Sequence, residues 1–133
     1  MLTENRYRNR NIIREYLNEK GTNNLQFDGH RFLFKADIHI ADRMTDREFP
    51  FEEFEFIILA LIKNKHILID IVNNPDIPPR VNLYGRDDYM IGVTLHKSNT
   101  EDGKHLIVLR TLYKERNSKN RERNVTVHKV KFA

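Results

Sequence analysis

Six histidines, no cysteine, and arginines repeated at helical spacing are the residues through which this chain could do chemistry. The most ordered group is His39, Arg43 and Arg47, which recur every four residues. On a helix that interval puts all three on one face. Histidine is the side chain best suited to moving protons near neutral pH. A guanidinium beside it can hold a phosphate with its planar fork. Together these are the parts needed to cleave RNA through its own 2′-hydroxyl. A base takes the hydroxyl proton, cations steady the phosphorane, and an acid protonates the leaving 5′-oxygen. A solvated helix surface with incidental charge would show the same spacing.

A second group falls on candidate strands. His66, Arg80, Tyr84 and His96 are out of phase with the apolar residues of their segments. They are expected on the sheet face that helices leave open. Arg110 and Tyr113 share a strand that is apolar in both phases, with Leu106, Val108 and Leu112 alternating with Ile107 and Leu109. A sheet face bearing His, Arg and Tyr can stack a base and hold a phosphate. It can equally be an ordinary solvated face. His30, His105 and His128 read as loop or strand-end residues.

Other chemistries lack their residues. There is no Walker loop, no GxGxxG after a strand, no HExxH, no GxSxG and no EF-hand loop. Asp37, Asp42, Asp46, Asp87 and Asp88 sit in segments read as a helix surface and a turn, so neither a metal nor another cofactor is expected. The absence of cysteine excludes disulfides, thiolate zinc sites, Fe–S clusters and cysteine nucleophiles, and suits a reducing compartment.

The elements that must position these groups follow from periodicity. Thr3–Lys20 reads as a helix, with Tyr7, Ile13, Tyr16 and Leu17 roughly along one stripe and Gly21 as its stop. Arg31–Lys35 is a short strand. Asp37–Arg47 carries Ile38, Ala41 and Met44 opposite its basic face. Pro50 opens a further helix whose stripe is Phe51, Phe54, Ile58 and Leu61. From His66 to Val72 the period reads as two, giving a strand. Arg80–Tyr84, Tyr89–Lys97 and Lys104–Tyr113 complete a run of strands. Residues 114–123 form a polar linker, and Asn124–Phe132 a last strand with a slip near His128. This order predicts an α+β protein with helices on one face of an antiparallel sheet of four or five strands.

The chain has 133 residues, enough for one domain spanning 1–133. Its longest apolar run, Phe56–Ile62, is too short to cross a bilayer, which needs roughly 20 residues. The N-terminal MLTENRYRNR lacks the apolar core of a signal peptide. A cytoplasmic location without membrane attachment is expected. Net charge is +4, divided as +2 over residues 1–20, −5 over 21–103 and +7 over 104–133. The basic C-terminal segment points to a polyanion, or to a solubilising tail.

Ile38–Phe49, IHIADRMTDREF, followed by an amphipathic helix, resembles the pattern H-x-x-x-R-[AM]-x-x-R-x-[IF] of the RegB endoribonucleases of T-even bacteriophages. The stretch from Pro79 to Lys97 is similar in layout to the RegB sheet. Its Gly92-Val93-Thr94 stands for the family's G-[FV]-T core, and Leu106–Thr111 for the next apolar strand. The similarity covers roughly residues 30–113. It implies a RelE-like fold over that core and a metal-independent RNase leaving a 2′,3′-cyclic phosphate. It also implies mRNA as substrate, the ribosome or ribosomal protein S1 as partner, and a host-cell cytoplasm as location. The family's first histidine falls on His39 and its helix arginine on Arg43. Its second histidine falls near Leu59, which cannot transfer protons, and His66 or His96 would have to substitute.

The function expected is therefore sequence-selective cleavage of mRNA. His39 acts as acid or base, His66 or His96 as the second proton-transfer group, and Arg43 as a phosphate contact. Arg47, Arg80, Tyr84, Arg110 and Tyr113 bind substrate. A non-catalytic protein binding nucleic acid or a host protein on the same fold is the alternative, with a DNA-directed nuclease third.

Overall fold

The computed structural model describes residues 2–21, 25–27, 29–37, 39–96, 104–114 and 127–132. Helix α1 spans Leu2–Gly21, and its Ile13 and Leu17, one turn apart, are buried. It stops where a Cβ on Gly21 would lie 2.9 Å from the Phe34 ring, so glycine is needed for the close approach. Helix α2, Ile40–Asp46, buries Ile40, Ala41 and Met44. Helix α3, Phe51–Lys63, starts after Pro50 and has Glu52 and Glu53 in its first turn and Lys63 in its last, as the helix dipole favours. Its inner stripe is Phe54, Ile57, Ile58 and Leu61, whereas Phe51, expected inside, is 38% exposed.

The segment expected as a strand from His66 is instead helix α4, His66–Asn73. Its apolar residues satisfy both periods: Ile67, Ile69 and Ile71 alternate, but Leu68 and Ile71 lie on one helical face and are the two that are buried. With only Asn64 and Lys65 between α3 and α4, the chain turns and lays that face over Val81, Leu83, Val93, Leu95 and Ile107.

The strands are β1 (Gln26–Phe27), β2 (His30–Ala36), β3 (Arg80–Tyr84), β4 (Tyr89–His96), β5 (Lys104–Lys114) and β6 (His128–Lys131). They form one sheet in the order β1-β2-β5-β4-β3-β6. The α+β class is as expected, but the sheet is mixed rather than antiparallel, because β2 runs parallel to β5 and β3 parallel to β6. The β2–β5 connection spans residues 37–103 and carries three helices and a hairpin, the long crossover a parallel pair requires. The expected linker at 114–123 begins with Lys114, which closes β5, and its remainder lies outside the described residues, as do residues 124–126 of the expected last strand. No described helix is long and apolar enough to cross a membrane.

A bulge explains why β5 is apolar in both phases. Leu109 pairs with Val93 and Thr111 with Gly92, which leaves Arg110 as the extra residue. The phase resets there, so Ile107, Leu109 and Leu112 all face the helices in one core. Gly92 is required beside it: a Cβ would sit 2.9 Å from Thr111 Cγ2. The β3–β4 turn, Arg86–Asp88, is tied to α3 by Arg86, which pairs with Glu53 at 3.2 Å and lies over the Phe56 ring.

Tyr16 joins α1 to α3, with its ring edge-on to Phe51 at 5.3 Å. Burial, then Glu55 and Glu19, push its hydroxyl from 10.0 up to about 12. The folded chain thus holds this proton more tightly than the unfolded chain. The resulting stability is complete below the unfolded value and is lost as pH rises from 10 toward 12. Urea midpoints measured on either side of that window should fall more for the wild type than for Tyr16→Phe.

Candidate functional site

Helix α2 lies where β2 ends and β5 continues. The last rung of that ladder is the Asp37 N–H donating to the Leu109 carbonyl at 3.1 Å. Beyond it, β5 has no strand neighbour on this side among the described residues, and arginines take over. The Arg43 guanidinium donates to the Arg110 carbonyl at 2.6 Å. Arg47 donates to the Leu112 carbonyl at 2.8 Å and to Thr111 Oγ1 at 3.0 Å. The every-fourth-residue spacing that suggested a phosphate clamp therefore serves to satisfy a strand edge. Arg10, from α1, pairs with Asp42 on α2 at 2.9 Å.

His39 precedes this helix. Its N–H donates to Asp37 Oδ1 at 2.8 Å, its carbonyl accepts from Arg43, and its side chain is exposed. His66 is exposed at the start of α4, on the helix-covered side of the sheet. His96 is exposed at the end of β4, on the opposite side. The sheet thus separates His66 from His96. His96 pairs with Leu106, whereas the chain leaves β2 toward His39 beside Leu109. Those strand positions are about 10 Å apart at the usual rise. Leu59, where the RegB resemblance places a second histidine, is 42% exposed on α3.

The register brings other residues together. Among the described residues no strand carries an Asp or Glu, while the strands carry Arg31, Lys35, Arg80, Lys104, Arg110, Lys114, Lys129 and Lys131. On the face away from the helices one row runs Arg80, Thr94, Val108, Lys35 across β3, β4, β5 and β2. Three strand spacings put its two cations about 14 Å apart. The next row holds His96, Leu106 and Leu33, and a further pair is Lys104 with Arg31. Leu33, Leu106 and Val108 are partly buried, whereas Arg31, Lys35, Arg80, His96 and Lys104 are exposed. This is an apolar floor within a cationic rim. The loop 97–103, with Glu101 and Asp102, lies outside the described residues.

At its other end the same face is closed. Tyr84, Met90 and Tyr113 form a second buried cluster, and Lys129 lies over the Tyr84 ring at 6.0 Å. Tyr84 is 6% and Tyr113 8% exposed, so neither offers the free ring face expected for base stacking. Arg110 is partly buried, its guanidinium directed to the Val93 carbonyl at 3.4 Å. One polar pair escaped the sequence reading. His105, 4% exposed, meets His30 with ring nitrogens 2.9 Å apart, against Phe32. The signal for it is the parallel β2–β5 pairing, which is invisible without the register.

No protein-family model, curated protein or solved structure matches the chain.

Proposed function

We propose that this protein binds single-stranded RNA across the open half of its sheet and cuts it through its 2′-hydroxyl with His39. The observation that carries the reading is the sheet, free of acidic residues among those described, whose exposed Arg80–Lys35 row flanks an apolar floor. Cations at the rim neutralise phosphates, and unstacked bases cover Val108, Leu106 and Leu33. Single strands suit this surface better than a duplex, whose bases are not free to reach an apolar floor. His39 follows the end of β2, four residues beyond Lys35, and its side chain is exposed. The resemblance to RegB supports mRNA as the substrate, a RelE-like core as the frame, and the host cytoplasm as the setting.

The second reading, a binding protein without catalysis, is favoured by a specific observation. Arg43 and Arg47 are engaged with the β5 edge, and Leu59 stands in place of a histidine. The two readings separate on purified protein mixed with single-stranded RNA in EDTA. Cleavage to cyclic phosphate ends that disappears in His39→Ala, with binding retained, is the expected result. Binding without cleavage selects the second reading. Strict dependence on Mg²⁺ would point to a metal nuclease instead.

A further inference from the structure

A different surface is built for a different ligand. Between α1 and β2 lies a groove of about 490 Å³. Its floor is Ile13, Leu17, Phe34 and Ile40, and its rim includes Arg14 and Lys35. The groove runs along the outer edge of β2. The Asp37 N–H bonds the Leu109 carbonyl, and Ala36 pairs with Leu109, so the odd-numbered residues of β2 turn their backbone groups toward β5. The even-numbered ones turn theirs outward. Phe32 does so, donating to the Leu25 carbonyl at 2.9 Å beside β1. Phe34 and Ala36 follow in the same phase. Among the described residues no strand pairs with them, because β1 reaches only His30 and Arg31. Among the described residues, then, the β5 edge is sealed by arginines and the Phe34–Ala36 stretch of the β2 edge is left as a template for another strand.

We propose that an extended acidic peptide of a partner protein docks here, adding a strand to β2 through the N–H and C=O groups of Phe34 and Ala36. Alternate side chains of that strand would enter the apolar groove, and the intervening carboxylates, on the opposite face of the sheet, would meet Lys35 and, toward β1, Arg31. Charge selects this occupant. A second copy pairing through the same edge would crowd Arg31 and Lys35 of both copies along one seam, which is unfavourable. Lys35 is shared with the proposed RNA face, but the outward amides of Phe34 and Ala36 are not, so the proposal does not depend on RNA binding.

Amide exchange of the isotope-labelled full chain tests it, with a capped hexapeptide of alternating Glu and Val as the probe. The peptide should slow exchange at Phe34 and Ala36 about tenfold or more, and the alternating Lys and Val peptide should not. Ala36→Pro removes one outward donor and leaves the bonds to β5 intact, so it should abolish the response. Lys35→Glu, exposed on the face the carboxylates take and with its backbone groups turned to β5, should weaken peptide binding about tenfold, equivalent to about 1.4 kcal/mol. Unchanged exchange at both amides, equal protection by the lysine peptide, or full binding to either variant overturns the proposal. Protection of these two amides by a single-stranded RNA would also overturn it, by giving the edge to nucleic acid.

Discussion

Reversing the two cations of the Arg80–Lys35 row should all but remove RNA binding. Both side chains are exposed and sit at the ends of one row across four strands, so Lys35→Glu with Arg80→Glu should leave the fold intact. The loss comes from two sources. Two phosphate contacts disappear, and two carboxylates are placed where the described strands otherwise carry none. Affinity for a single-stranded RNA near 0.1 M salt should fall about 100-fold. The slope of log K against log salt should become shallower by about 1.4, since each phosphate contact on a single strand contributes about 0.7. Filter binding across a salt series measures both. A wild-type slope near zero, or a double variant that binds as the wild type does, would remove the sheet face from the site.

Arg43→Met should cost stability first and any activity only through it. Its guanidinium is partly buried and reaches the Arg110 carbonyl, at the bulge where β2 no longer covers β5. Hydrogen bonds from charged donors contribute about 1.5–3 kcal/mol, and a carbonyl left without a partner adds its own penalty. The expected loss is therefore about 2–4 kcal/mol, read as a lower urea midpoint at unchanged m-value. Arg47→Met should behave alike through the Leu112 carbonyl and Thr111. Arg43→Lys keeps the charge and shortens the reach, so it should recover only part of the loss. If Arg43→Met is as stable as the wild type yet fails to cleave RNA, the guanidinium acts on phosphate, and the edge-sealing role is secondary.

Helices α1 to α3 and strands β3 and β4 were legible because each carries one clear period, with a marked stop such as Gly21 or a marked start at Pro50, whereas β5 was legible as an apolar strand but not in its phase. Helix α4 was not, because HILIDIV is apolar at both spacings and only its seat on Val81 and Leu83 decides between them. Neither parallel pairing was legible, since each joins strands far apart in the chain. The site was half legible. His39, Arg80 and His96 are exposed as their phase implied, but Tyr84 and Tyr113 are buried. Arg43 and Arg47 look alike in sequence whether they serve a phosphate or a strand edge. The position of the bulge at Arg110 decides which, and it depends on the pairing of Gly92 with Thr111.

RNA cleavage by His39 is open to one direct measurement: the 3′ ends produced when the purified protein is incubated with single-stranded RNA in EDTA, beside His39→Ala. Fragments ending in 2′,3′-cyclic phosphate are expected from the wild type. His39→Ala should yield at least about 100-fold fewer, the usual worth of a general acid or base, while binding RNA equally well. Fragments formed at the same rate without His39, or RNA that stays intact with the wild type, would contradict it.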